Sequence, residues 1–298
     1  MSKVGNGSSD HVQENAKGFD YGGSLKELTE PPKFDNVEDE RKYLKERLAA
    51  ALRIIGRLGF DHHVVRFPPH GLSFPVPKWR NLSSGPKTNS TLFDPTPIAR
   101  RGATGARPGH LTVRDPENPH NFWVNPFGLA MSVMTVSDLI LVSDEGKVIG
   151  GGKPGRRVVN LAGFLIHSAI HRARPDVVAI VHSHSMYGKA FSTLGEELPI
   201  TTQDACSFYG DLIAKTLGQN KAIILQNHGI LTAGQSIDSA LNWFVMLEAQ
   251  CQVALLAKAA GTPVLIDEAQ TGSERSGYFM ASPLFQQLDA EVGDAYKK

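Results

Sequence analysis

Cysteine is nearly absent. Cys206 and Cys251 are the only two in 298 residues, which excludes a disulfide framework and a cysteine-built structural zinc site. Charge of one sign is also lacking. Lys and Arg number 31 against 30 Asp and Glu, a formal net charge of +1, so no global field draws the chain to nucleic acid or to a membrane surface. No run approaches the ~18 consecutive apolar residues of a membrane span, and the opening MSKVGNGSSDHVQENAKG has no apolar core of a signal peptide. The expectations left are a small-molecule partner, neither nucleic acid nor membrane, and a cytoplasmic setting.

What is present is ordinary for a globular chain that buries a sizeable core: 41% hydrophobic and 20% charged residues. Residues 1 to 36 are rich in Gly, Ser, Asn and charge, with too few apolar side chains to offset the entropy of ordering, and read as an N-terminal arm. From Val37 to Gly59, Leu44, Leu48, Ala51, Leu52, Ile55 and Leu58 keep a 3.6 period. Glu38 to Glu40 suit the positive helix start and Gly59 a C-terminal cap, so an amphipathic helix is expected. Residues 65 to 108 then break every period with eight prolines and hold one acid, Asp94, against seven Lys and Arg. A structureless stretch of that length inside a domain reads as an atypical basic insertion.

Short β-type runs follow: HLTVRD (110 to 115), FWVN (122 to 125), LILVS (139 to 143) and, past the turn at Asp144 to Gly146, KVIGG. VVNLAGFLIHSAIHRARPD (158 to 176) reads as a helix ended by Pro175. VVAIVHS (177 to 183) and KAIILQ (221 to 226) are continuous apolar runs expected as buried strands. A long apolar stripe from Ile237 to Leu256, with Ser236 placed to cap its start and Gly261 and Pro263 to stop it, completes the pattern. Residues 266 to 298 are left as a C-terminal tail, so residues 37 to 265 form a single domain.

The chemistry concentrates in histidine. In VHSHS, His182 and His184 stand at i and i+2 of a strand, so their imidazoles leave one face side by side. His228, in QNHGIL, lies just past a second strand and could complete a triad. Three protein ligands with an open position suit a catalytic rather than a structural metal. Spacing alone leaves hydrogen-bonded core histidines and a metal site about equally open. His167 and His171, at i and i+4 of a helix, have no acidic partner motif and read as structural.

At this point the residues carry a resemblance. RPDVVAIVHSHSMYGKAFS, TQDACSFY, KAIILQNHGILTAG and EAQCQVALLAKAAG, preceded by GHLTVRDPENPHNFWVNPFG and VSDLILVSDEGKVI, together resemble the class II aldolase/adducin family, in its fungal and bacterial adducin-like branch. The resemblance implies an α/β/α sandwich around a mostly antiparallel central sheet, assembled as a homo-oligomer, in many members a tetramer. It also implies one divalent metal on His182, His184 and His228, with zinc first and Fe(II) or manganese as alternatives. His110 stands where members contact substrate phosphate through an Asn, and together with Asn227 it is a candidate substrate contact.

The chain departs from the sugar-phosphate members of that family. Where they carry two phosphate-holding serines and a glutamate, this sequence has Leu161, Ala162 and Gly163, so no phosphate-binding residue is expected. The candidates left for proton transfer are Asp204 and Tyr209. Three readings follow. The first is a metal-dependent lyase of aldolase type on a small, unphosphorylated carbonyl compound. The second is a non-haem iron oxygenase of secondary metabolism on the same frame. The third is a non-catalytic adducin-like module whose partner is the actin cytoskeleton.

Overall fold

In the computed structural model, residues 30–61, 109–202, 204–208, 217–218, 220–266 and 274–298 are described. Residues 1–29 of the N-terminal arm and the whole of the 65 to 108 insertion lie outside them. Helix α1, Val37–Arg57, begins where Asn36 accepts a 2.8 Å bond from the Asp39 amide. It ends as the glycine foresaw: Gly59 adopts φ 77, and the Gly59 and Phe60 amides bond back to the carbonyls of Gly56 and Ile55. This paired return satisfies carbonyls that the helix end leaves open.

Among the described residues seven strands build one sheet: β1 His110–Arg114, β2 Asn121–Val124, β3 Ile140–Ser143, β4 Val148–Gly151, β5 Ala179–Ser183, β6 Ala222–Leu225 and β7 Gly229–Gly234. They lie in the order β4-β3-β2-β1-β5-β7-β6, and each neighbouring pair is antiparallel. One face carries α2, Leu161–Ala173. Its Phe164 is fully buried against Phe122, Val124, Ile140 and Val142; truncation of such a side chain to Ala costs about 3–5 kcal/mol. The opposite face is covered by α1, the short α3 (Met186–Ser192), α4 (Ile237–Ala260) and α5 (Glu274–Val292), which bury Leu52, Ile55, Phe191, Leu241, Trp243, Phe244 and Phe285. The architecture is the α/β/α sandwich expected from the sequence.

Two expectations are corrected. The stretch left as a C-terminal tail carries α5, whose Tyr278, Ala281, Phe285 and Leu288 enter the core. Gly277 and Pro283 mask the helical signal there, but Gly277 is required by contact, since a Cβ on it would meet Trp243 Cε2 at 2.8 Å. The run KAIILQ forms an edge strand rather than a buried one: among the described residues β6 pairs only with β7, and of its four residues Ala222 alone is fully buried. Helix α4 is the one helix among the described residues long and apolar enough to cross a membrane, yet its Leu241, Trp243, Phe244 and Leu247 are fully buried in the core.

Candidate metal centre

The sheet's pairing brings the site together. On central strand β5, His182 lies opposite His110 of β1 on one side and Leu231 of β7 on the other. Residues directly opposite across an antiparallel pair project to the same face, so His110 and His182 both point toward α2. His184 follows two residues later. His228 stands in the three-residue turn between β6 and β7, where Leu225 pairs with Gly229. That turn depends on Asn227, the one non-glycine residue with positive φ, at 55°, among the described residues. Asparagine tolerates this left-handed conformation better than other side chains. Gly229 then lets β7 close on β5, since a Cβ there would lie 2.6 Å from the Ser183 carbonyl oxygen.

The result is convergence. One ring nitrogen from each of His182, His184 and His228 lies within 4.8 Å of the other two. The imidazole centroids are 4.5 to 5.3 Å apart. Nδ1 of His182 lies 2.9 Å from the carbonyl oxygen of Ile230. A carbonyl only accepts, so Nδ1 carries the proton and Nε2 presents its lone pair. This is the outer hydrogen bond that fixes the tautomer of a metal-ligating histidine. Burial first, then the neighbouring imidazoles of His228 and His110, push the His182 pKa down to about 4, against the raising effect of the Ile230 bond. A neutral, oriented imidazole beside two others fits a divalent cation, and the nitrogen donor set suits zinc, iron or manganese without selecting among them.

Around the triad, His110 is 3% exposed and its Nδ1 has no hydrogen-bond partner among the described residues. Burial, then the His184 ring, lowers its pKa to about 4, so this imidazole is also neutral. Leu161, Ala162 and Gly163 form the first turn of α2, and Gly163 faces the His110 ring. The single hydroxyl of Thr112 bridges His167 Nδ1 and His171 Nε2 at 2.9 Å each, while His167 Nε2 is buried without a partner among the described residues.

Asp204 opens a 3-10 turn, Asp204–Phe208, with its side chain exposed. Tyr209 lies outside the described residues. Asn227 is exposed and is held by its backbone, whose amide donates to the Ser192 carbonyl. The described residues on either side of the proline-rich segment meet at Ser183. Ser183, between the two strand-end histidines, donates its hydroxyl to the Phe60 carbonyl, and a Cβ on Gly109 would lie 3.1 Å from the Ser183 Oγ.

Comparison with known proteins agrees with this architecture. A family model described as the class II aldolase and adducin N-terminal domain matches residues 97–213 and 210–255. The chain belongs to the class II aldolase/adducin family. Its structure is similar to that of an L-fuculose 1-phosphate aldolase from Glaciozyma antarctica, with 54% identity, a TM-score of 0.74 and coverage of 93% of this chain and 100% of that one. Two Streptomyces relatives are each 36% identical. One, from Streptomyces niveus, is named decarboxylase NovR, with 91% of both chains covered. The other, from Streptomyces roseochromogenus, is named 4-hydroxy-3-prenylphenylpyruvate oxygenase/4-hydroxy-3-prenylbenzoate synthase, with 92% of this chain and 88% of the relative covered. The family's fold implies a small-molecule substrate.

Proposed function

We propose that this chain is a divalent-metal-dependent lyase that makes or breaks a carbon–carbon bond beside the carbonyl of a small, unphosphorylated compound. The observation that carries the reading is the convergence of His182, His184 and His228 with His182 Nδ1 tied back to Ile230. A bound divalent ion would act there as a Lewis acid, drawing electron density from a substrate carbonyl.

The chain's own residues define the rest. His182, His184 and His228 would hold that ion, and the buried Nδ1 of His110, without a hydrogen-bond partner among the described residues, offers a neutral hydrogen-bonding atom for a substrate oxygen. The first turn of α2 argues against a phosphorylated sugar: Leu161, Ala162 and Gly163 supply neither hydroxyls for a phosphate nor an acid for proton transfer. The aldolase name of the similar structure therefore supports the bond type more than that substrate. Decarboxylation likewise breaks a carbon–carbon bond, and the name of the Streptomyces niveus relative fits the same reading. Asp204 and Tyr209 remain the residues proposed to move the proton, and Asn227 a substrate contact. Zinc is the metal proposed, in a cytoplasmic homo-oligomer, tetrameric by resemblance; a monomer mass in light scattering would reject the assembly.

A second reading, a non-haem iron oxygenase, is favoured by the oxygenase name of a relative that matches along nearly its whole length. Elemental analysis of the purified protein, beside a His182→Ala/His184→Ala variant, separates the two. About one zinc or manganese per chain, absent from the variant, supports the lyase and calls for a screen of 2-oxo acids and aldehydes. Iron together with oxygen uptake on phenylpyruvate moves the oxygenase to first place. A wild-type protein that takes up no metal overturns both, and leaves the adducin-like interaction module.

A further inference from the structure

Glu248 is a carboxylate that the proposed chemistry does not use. It sits in the middle of α4 at 3% exposure and forms no ion pair among the described residues. A buried carboxylate without compensation is costly, and here the compensation comes from a single short stretch of chain. Glu248 accepts bonds from the Ser185 hydroxyl at 2.5 Å, the Gly188 amide at 2.7 Å and the Tyr187 amide at 2.9 Å.

Those donors belong to the first turn of α3. Ser185 is the N-cap of that helix, yet its hydroxyl makes no capping bond to the helix backbone and turns to Glu248 instead. The amides of Tyr187 and Gly188 are the two that an N-cap side chain ordinarily satisfies. Glu248 thus caps α3 from another helix, with a full negative charge at the positive helix end and charge-assisted bonds stronger than neutral ones.

The capped turn meets the ligand-bearing chain on two sides. Ser185 follows His184 directly. Gly188 is wedged between Glu248 and β7: a Cβ on it would lie 3.0 Å from Glu248 Oε2 and 2.8 Å from Ile230 Cγ2. Ile230 is the residue whose carbonyl holds His182 Nδ1, and its neighbour Gly229 adjoins His228. One carboxylate therefore fixes a turn that is joined to His184 through Ser185 and packs on Ile230, whose carbonyl holds His182.

We propose that Glu248 is a positioning residue of the metal centre, holding the Ser185–Gly188 turn so that His184 and the Ile230-anchored His182 keep a binding geometry. The inference rests on the metal reading above. Its test is titration of the metal-free protein with Co(II), followed through the visible absorption of the bound ion, in wild type, Glu248→Gln and Ser185→Ala, with circular dichroism and thermal melts alongside. Gln keeps the shape but loses the charge and turns an NH2 toward amide donors. Ser185→Ala keeps the carboxylate with two of its three bonds.

Glu248→Gln is expected to bind Co(II) about 10–100-fold more weakly, the range for loss of an outer-shell partner, with displaced visible bands. Ser185→Ala should fall between it and wild type. A purely structural cap would lower the melting temperature while folded protein kept the wild-type affinity and spectrum, and that result overturns the proposal. Should Glu248→Gln not fold, Ser185→Ala decides by the same criterion. Wild-type protein that takes up no cobalt overturns the metal reading and this inference together; normal wild type with unchanged variants overturns the inference alone.

Discussion

Gly163 and His110 share one space. A Cβ on Gly163 would stand 2.6 Å from Nδ1 of the His110 ring and closer still to Cε1. The ring is buried on a central strand and the glycine is fixed in the first turn of α2, so neither can step aside cheaply. A side chain at position 163, acid or not, is incompatible with the imidazole where it now lies.

That relationship makes a prediction about Gly163→Ala. The extra methyl in a packed site should cost about 1–3 kcal/mol, read as a lower urea midpoint at unchanged slope. In a His110→Ala background the space is free, and the same substitution should be close to neutral or slightly stabilising through helix propensity. Equal costs in both backgrounds would show that the two residues do not compete for the space.

Acid should destabilise the fold through α2's buried histidines. His171 is 1% exposed, stacks on Phe122 with centroids 4.4 Å apart, and shares the Thr112 hydroxyl with His167; its Nδ1 lies 3.3 Å from the Val177 carbonyl and from Arg114 Nη2. Burial, then the Arg114 charge, pushes its pKa down to about 3, despite the Val177 carbonyl. The unfolded chain takes a proton near pH 6.5, whereas the folded chain resists until about pH 3. Between those values the unfolded state binds more protons, so stability falls as pH drops through that window, by on the order of a few kcal/mol. His167 acts in the same direction. Urea melts from pH 7 to pH 4 should show the decline, and His171→Gln should flatten it even though it is less stable at pH 7. An unchanged slope in the variant would remove His171 as its source.

The legible parts of this site were the local ones. His182 and His184 share a face because strand geometry repeats every two residues, and VHSHS carries that in five letters. Helix α1 declared its period, its acidic first turn and its C-terminal glycine, while its N-cap, Asn36, was left in the arm. What depended on distant pairing stayed hidden. That His110 would face Gly163 requires β1 to pair with β5 and α2 to cross above both. The edge position of β6 cannot be read from AIIL, because a β-branched run looks alike at the centre and at the rim of a sheet. Glu248 was concealed within an apolar helix, since nothing near it in the chain reveals that its partners lie about sixty residues upstream at Ser185 to Gly188. Helix α5 was concealed by Gly277 and Pro283, residues that break a local pattern while the core accepts them.

The turn that delivers His228 offers the sharpest separation of backbone from side chain. Asn227 adopts φ 55, a conformation glycine takes freely and alanine takes at a cost of about 1–2 kcal/mol. Asn227→Gly should therefore keep stability and metal affinity near wild type, while Asn227→Ala lowers both as the turn relaxes and His228 leaves the triad. Gly229 has no positive φ, so its requirement is purely steric: Gly229→Ala would place a methyl 2.6 Å from the Ser183 carbonyl and 3.4 Å from the His184 Cα. Both are backbone atoms of the chain that carries two of the ligands. The expected result is loss of Co(II) binding with a destabilisation of about 1–3 kcal/mol. Gly261→Ala, with nothing within 4 Å of the added methyl, should leave both untouched. If Asn227→Gly instead loses substrate turnover while still binding cobalt with wild-type affinity, the Asn227 side chain contacts the substrate, and its role extends beyond shaping the turn.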